Sequence, residues 1–99
     1  MGWVRWTWDG NKNRVNRRKH GIGFETATLV FEDPLMACRP DLHPDGDRWV
    51  TIGAAGGMVV IVAHTWPRPE PGTETAVGRI ISARKATAHE RRAYEEGDF

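Results

Sequence analysis

The sequence predicts one small α+β domain over residues 1–99, in which an antiparallel sheet carries helices mainly on one face. The chain has 99 residues, enough for one modest hydrophobic core. Patterns typical of strands and helices follow one another in the order β-α-α-(β)-β-β-β-α. One segment, 58–66, is apolar on both sides of a strand as far as Ala63, which is typical of a central strand. The opposite face of the sheet would then be open to a ligand.

The chain begins with a predicted strand and a predicted helix. Residues 4–8 alternate with a period of two, as a half-buried strand does. Asp9 is a suitable N-cap for a polar, basic helix over 11–20, and Gly21 stands where helices commonly end. Val15 is the only aliphatic residue of that helix, so a wide apolar stripe cannot be what holds it to the domain.

A second helix is predicted over 24–31, because Phe24, Ala27 and Phe31 recur at helical spacing. Asp33-Pro34 ends it, since the residue before a proline disfavours helix. The remaining strands are predicted over 35–40, 48–53, 58–66 and 76–83, with a hairpin turn at 54–57 and loops at 41–47 and 67–75.

The last helix is predicted over 87–96. Thr87 and Glu90 have the spacing of a capping box, in which each side chain binds the backbone N–H of the other. The strand before it, together with this basic helix, places several donors at one junction, where they could hold a phosphate. A solvated strand end and helix explain the same charges equally well.

Charge is unevenly distributed along a chain whose net charge is only +1. Residues 1–20 carry six Lys or Arg against one Asp, and residues 79–92 carry five against one Glu. Two basic blocks on a nearly neutral chain indicate an anionic partner, although each block alone could be a solvated face.

Several kinds of site are absent from the sequence. Cys38 is the only cysteine, so no intrachain disulfide can form, and no spacing typical of a zinc or calcium site occurs. No phosphate-binding loop and no nucleophile elbow is present. We therefore expect neither a metal nor another cofactor. The N-terminus is not typical of a signal peptide and no apolar run is long enough to cross a bilayer, so we expect a cytoplasmic protein without membrane contact.

The chemistry that remains is cationic and imidazole chemistry, which can cleave RNA without a metal. A base removes the proton of the 2′-OH, cations stabilise the charge on phosphorus, and an acid protonates the 5′-oxygen. His20 ends a predicted helix, and His64 lies near the end of the central strand. Arg48 begins the neighbouring strand, so the hairpin would bring it near His64. Taken singly, each of the three is better explained as a structural residue.

Motifs along nearly the whole chain resemble one protein family. The first group is Trp8-Asp9, Lys12-Asn13, Asn16, Lys19-His20-Gly21-Ile22, Phe24-Glu25 and Val30-Phe31-x-Asp33. The second group is Arg48-Trp49-x-x-Ile52-Gly53, Val60-x-Val62-x-His64-Thr65, Ile81-Ser82-Ala83-Arg84-Lys85-Ala86 and Glu90-Arg91-Arg92-x-Tyr94. In this order and at these separations they resemble the BrnT toxin family. The proline-rich loop at 66–75 looks longer than the short turn usual there.

The resemblance implies the toxin of a type II toxin–antitoxin pair, with a RelE-like fold. Such a toxin is an endoribonuclease that inhibits translation, and a BrnA antitoxin neutralises it by binding. Operator DNA is expected to be bound only by the toxin–antitoxin complex. The helices at 11–20 and 87–96 are candidates for the antitoxin contact.

Carried over by position, the resemblance implies a catalytic set and a set of RNA contacts. The catalytic candidates are His20, Glu25, Arg48, His64, Arg79, Ser82 and Arg84. The RNA-binding candidates are Lys12, Lys19, Lys85 and Arg91. In the expected mechanism His20 or His64 exchanges protons, Glu25 orients a ring, and the three arginines hold the phosphate.

Strand geometry limits this set. If 79–84 is a regular strand, Ser82 and Arg84 point to one face and Arg79 to the other. Both arginines then serve one site only if Arg79 lies at the rim or a bulge intervenes. Two other functions are compatible with the sequence: a non-catalytic nucleic-acid-binding regulator, and a degenerate toxin that keeps only partner binding.

Overall fold

One mixed sheet organises the molecule, and the computed structural model describes residues 3–42, 44 and 46–99 of it. The strands are β1 (Trp3–Thr7), β2 (Ala37–Pro40), β3 (Trp49–Ala55), β4 (Met58–His64), β5 (Arg68–Pro69) and β6 (Thr75–Lys85). The helices are α1 (Gly10–His20), α2 (Phe24–Ala27) and α3 (Ala88–Glu96), and a 3-10 helix at Thr28–Glu32 continues α2. The prediction of an α+β domain is confirmed.

The strand order is β1-β6-β4-β3-β2, and the short β5 lies beside the first half of β6. Strand β4 is central, as its two-sided apolar pattern predicts. The sheet is mixed rather than wholly antiparallel, because β1 runs parallel to β6 and all other pairs are antiparallel. Parallel neighbours need a long connection, and the two helices and the other strands supply it here. The alternation of side chains in residues 3–7 predicts a strand, but it does not show whether that strand runs parallel or antiparallel to its neighbour.

The helix face of the sheet, defined as the face that α1, α2 and the 3-10 helix cover, contains the main core. Side chains from β3, β4 and β6 meet those of the helices there, which confirms that the helices lie mainly on one face. The buried members are Ile22, Phe24, Ala27, Val30, Ala55, Val60, Val62, Ile80 and Ala83. Burying aliphatic and aromatic side chains of this size stabilises each by about 1.5–3 kcal/mol relative to exposure.

Helix α1 is attached to the sheet by a polar side chain instead of an apolar stripe. Asn16 is buried; its amide donates to the carbonyls of Ile22 (3.0 Å) and Ala83 (2.8 Å), and its Oδ1 accepts the Ala83 N–H (3.1 Å). The pairing of β1 with β6 ends at Arg79, so this edge of β6 is free beyond it. Asn16 therefore replaces a missing strand at that edge.

Local signals place the helix ends. The Asp9 carboxylate accepts the N–H groups of Asn11 and Lys12, and Gly21 ends α1 in the left-handed region at φ 74°. Thr87 and Glu90 form the predicted capping box at the start of α3. Within the described residues, no helix combines the length and apolarity that a membrane crossing needs.

Candidate active site

The face of the sheet opposite the helix face, here called the open face, contains a polar pocket of about 260 Å³. We call it the arginine pocket. Its lining comes from β2, β3, β4, β6, α3 and the C-terminal segment. The lining residues are Arg39, Asp41, Arg48, Val50, Ile61, Ala63, Ser82, Arg84, Glu90 and Phe99.

Three of the predicted catalytic residues meet in this pocket: Arg48, Ser82 and Arg84. Ser82 pairs with Ala63 and Arg84 pairs with Ile61 across β4 and β6, so both side chains lie on the open face. Arg48 immediately precedes β3 and reaches the pocket from the other side of β4. Arg48 and Arg84 therefore lie on opposite sides of the central strand β4.

A β-bulge brings Arg79 to the same face. The register between β4 and β6 pairs Ala63 with Ser82 but His64 with Ile80, so Ile81 is the extra residue. Without the bulge, Arg79 and Ser82 would point to opposite faces; with it, Arg79 shares the face of Ser82 and Arg84. Arg79 is exposed and forms no ion pair with a described carboxylate. It is not part of the pocket lining, so it extends the cationic surface beyond the pocket.

Carboxylates hold the two deepest arginines in place. Arg84 donates from Nη1 to Oε1 (2.8 Å) and from Nη2 to Oε2 (2.9 Å) of Glu90, a bidentate pair. The hydrogen bonds from Arg84 lower the pKa of Glu90 to about 2, and the same contact raises the pKa of Arg84. Arg48 donates from Nε to Oδ2 of Asp41 (2.9 Å). Both arginines are thereby pre-oriented.

Among the described side chains that line the pocket, three carry a guanidinium group and two carry a carboxylate, which leaves one net positive charge. Guanidinium groups suit a phosphodiester because their planar donors match two oxygens at once. Among the described residues, no histidine lines this pocket. Its chemistry is therefore the binding of an anion and the stabilisation of negative charge.

His64 lies on the helix face, away from the arginine pocket. Its ring packs edge-on against Trp6 and Phe31, with centroids 5.1 and 5.0 Å away. Its Nδ1 donates to the Thr65 carbonyl (2.8 Å), so in the neutral ring Nε2 accepts from the Thr51 hydroxyl (2.7 Å). Burial lowers the pKa of His64 below its ordinary value. The hairpin does bring Arg48 close to His64 along the strands, but the pleat sends the two side chains to opposite faces.

His20 and Glu25 also lie outside the arginine pocket. His20 is the last residue of α1, as predicted. Glu25 accepts from Asn13 (3.1 Å) and pairs with Arg17 (3.5 Å), and Asn13 in turn accepts the N–H of Phe24 (2.8 Å). These contacts join α1 to α2, so the role that they indicate for Glu25 is structural. They do not connect Glu25 to an imidazole ring that it could orient.

The four predicted RNA contacts are exposed but do not line the arginine pocket. Lys12 and Lys19 lie on α1. Lys85 pairs with Val60 and so points to the helix face, and Arg91 follows Glu90 on α3. The structure brings none of them to the same place as Arg48 and Arg84.

Seven described lining residues were not among the predicted site residues, and four of them carry a charged or aromatic side chain: Arg39, Asp41, Glu90 and Phe99. Glu90 was recognised only as a helix cap, and its spacing of six from Arg84 gave no further signal. Arg39 and Phe99 are far apart in sequence, and only the folded chain brings them together. Across residues 3–42, 44 and 46–99, no cluster of His, Cys, Asp and Glu could hold a metal ion.

The helix face also has a hollow, of about 710 Å³ and mostly apolar. It includes His64 and Thr51 at its base, with Trp6, Phe31 and Trp66 around them. No lysine or arginine is found among the described residues that line it, so it does not suit a phosphate.

Comparison with known families gives one match. A family model described as the ribonuclease toxin, BrnT, of type II toxin–antitoxin systems matches residues 8–90. No curated protein matches the chain in a sequence search. The matched range contains every strand and helix of the arginine pocket except most of α3 and the segment that carries Phe99.

Proposed function

Because the chain belongs to the BrnT family of ribonuclease toxins of type II toxin–antitoxin systems, we propose that it cleaves RNA at the arginine pocket without a metal ion. The observation that carries the proposal is the convergence of Arg48 and Arg84 in one pocket on the open face, each held by a carboxylate. Family membership supplies the ribonuclease activity, and the pocket supplies a place for the scissile phosphate.

In the proposed reaction the ribose 2′-oxygen attacks phosphorus, the bond to the 5′-oxygen breaks, and a 2′,3′-cyclic phosphate remains. Negative charge on the non-bridging oxygens increases in the transition state, and Arg48 and Arg84 are oriented to stabilise it. Arg79 holds a neighbouring phosphate outside the pocket. Removing a single pre-oriented donor of this kind typically costs about 100- to 1,000-fold in rate.

The reaction also needs a group that accepts the 2′-OH proton and one that protonates the 5′-oxygen. The roles expected for His20 and His64 gain no support from the pocket, which neither of them lines. Within the part of the chain that the structure describes, the lining carboxylate side chains are those of Asp41 and Glu90. Glu90 is a weak base because its pKa is about 2. We propose Asp41 as acceptor of the 2′-OH proton because its carboxylate lines the pocket beside Arg48, with water protonating the 5′-oxygen.

The biological consequence that we propose is inhibition of translation, relieved by a BrnA-type antitoxin. A partner that covers the arginine pocket and Arg79 needs acidic or amphipathic segments, because it must satisfy exposed guanidinium groups. Binding of operator DNA is assigned to the toxin–antitoxin complex, with the antitoxin as its main contact.

The test is a cleavage assay with the purified protein and single-stranded RNA in excess EDTA. We expect fragments that end in 2′,3′-cyclic phosphate, and no cleavage of the same RNA carrying 2′-O-methyl groups. Cleavage that requires a divalent metal, or that leaves 3′-hydroxyl ends, would contradict the mechanism. Binding without any cleavage would favour the non-catalytic regulator instead.

A further inference from the structure

The Phe99 ring lies in the wall of the arginine pocket, with the Arg39 guanidinium 4.2 Å above the ring centroid. We propose that Phe99 and Arg39 form a nucleobase-binding subsite beside the phosphate site. This inference rests on the proposed function, since it takes single-stranded RNA as the ligand. Phe99 lies beyond the residues that the family model matches.

The chemistry of the pair suits a base rather than a second phosphate. A cation placed over an aromatic face is attracted to the ring, so Arg39 restricts how Phe99 can turn. Phe99 is partly exposed, and its ring is of the kind on which a planar base stacks. Every base has a π-face, so such a platform tolerates any sequence.

Phe99 has no competitor for this role within the pocket. It is the only aromatic side chain among the described residues that line it. Trp6, which stacks on Phe31, and Trp66 line the apolar hollow of the helix face instead. A base that lies in the pocket beside the scissile phosphate therefore has Phe99 as the ring on which to stack.

The strand order also gives the path of the RNA. Arg84 lies on β6 and Arg39 on β2, with β4 and β3 between them. Arg39 pairs with Val50, whose side chain lines the pocket floor with those of Ile61 and Ala63. A strand bound by its phosphate at Arg84 and Arg48 thus reaches Phe99 by running across the sheet toward β2.

The test compares two ligands of twelve nucleotides: 2′-O-methyl RNA, which cannot be cleaved, and an abasic oligomer with the same number of phosphates. We expect Phe99→Ala and Phe99→Leu to bind the base-bearing oligomer about tenfold more weakly than the wild type. Phe99→Trp keeps the affinity. None of the three changes the affinity for the abasic oligomer, whereas Arg48→Ala weakens binding of both oligomers by the same factor.

The leucine variant separates stacking from packing, because leucine fills the same wall without a ring. Wild-type affinity in Phe99→Leu, equal losses for both oligomers, tighter binding in Phe99→Ala, or no binding of the oligomers by the wild type would each overturn the subsite. The assay needs no cleavage, so its outcome is independent of the chelator experiment. A protein that passes this test but leaves RNA uncut keeps the subsite and loses the proposed catalysis.

Discussion

The Arg84 guanidinium and the Glu90 carboxylate are joined by two parallel hydrogen bonds of 2.8 and 2.9 Å. Glu90 Oε1 also accepts the backbone N–H of Thr87 (2.8 Å), so one carboxylate caps α3 and orients the arginine at the end of β6. The position of Arg84 in the pocket and the start of α3 therefore both depend on the Glu90 side chain.

We predict that Glu90→Gln lowers the free energy of unfolding by about 1–2 kcal/mol at pH 7. Glutamine can still cap the helix, so the loss of stability reports the effect of removing the carboxylate charge. Exposure of the Arg84 side chain keeps the value moderate. Denaturant unfolding measures it, and Glu96→Gln on the exposed end of α3 is the matched control, with a change below about 0.5 kcal/mol.

The same variant has a defined pH dependence. The pKa of Glu90 is lowered from 4.5 to about 2, so its stabilisation is complete above pH 4.5 and is lost as pH falls toward 2. The difference between wild type and Glu90→Gln should shrink across that range. A difference that stays constant from pH 7 to pH 3 would show that the carboxylate charge contributes nothing.

We predict that Arg84→Ala cuts RNA about 100-fold more slowly, because it removes a pre-oriented donor and leaves Glu90 unpaired beside the phosphate. Arg84→Lys keeps the charge but not the planar fork, so its cleavage rate should lie between those of the wild type and Arg84→Ala. Initial rates per folded molecule give the measurement. Arg18→Ala removes an equal charge from the exposed surface of α1 and should keep the wild-type rate; equal effects of both alanines would remove Arg84 from the site.

We predict that His64→Ala lowers the free energy of unfolding by about 2–4 kcal/mol while cleavage per folded molecule stays within a few-fold of wild type. The ring is buried against Trp6 and Phe31, on the face opposite the arginine pocket. Parallel unfolding and cleavage assays separate the two effects. A folded variant whose cleavage falls 100-fold would instead give His64 a catalytic role.

Protonation of His64 should make the protein less stable in mild acid. Burial lowers the pKa of His64 below its ordinary value of 6.5, so the unfolded chain binds this proton more readily than the folded one. The contribution of neutral His64 to the free energy of unfolding is therefore fully present above pH 6.5 and is lost as the pH falls below that value. Unfolding midpoints between pH 7 and pH 5 test this, and His64→Gln, which cannot titrate there, should show a flatter profile; equal slopes would contradict the assignment.

We predict that Asn16→Ala destabilises the protein by about 2–4 kcal/mol, because three hydrogen bonds to buried backbone groups of Ile22 and Ala83 lose their partner. Asn11→Ala on the exposed start of α1 is the control, with little effect. Thermal unfolding distinguishes them. Equal melting temperatures for the two variants would mean that water replaces Asn16 at the edge of β6.

Local patterns in the sequence were sufficient for most of the secondary structure. The helix ends at Asp9 and Gly21, the capping box of α3 and the central strand β4 all agree with the structure. Each depends on interactions within a few residues, which spacing alone reveals. The helix predicted at 24–31 is a short α-helix followed by a 3-10 helix, and the 3-10 helix packs against β3.

The candidate site, too, was predictable from the sequence only in part. The family resemblance implied seven catalytic candidates, and three of them, Arg48, Ser82 and Arg84, line one pocket. Sequence reasoning also left open whether a bulge would bring Arg79 to their face. Only the register of β4 against β6 answered that question, because one extra residue at Ile81 reverses the side to which every earlier residue points.

The sequence by itself determined most of the helices and strands, the two basic blocks and the resemblance to a family. The tertiary structure decided which side chains meet: it placed His64 behind the sheet, Arg79 in front of it, and Phe99 against Arg39. The physical reason is that helix caps and periodicity act between neighbours in the chain. The face on which a side chain lies depends on backbone hydrogen bonds between strands far apart in sequence, and no local pattern records those bonds.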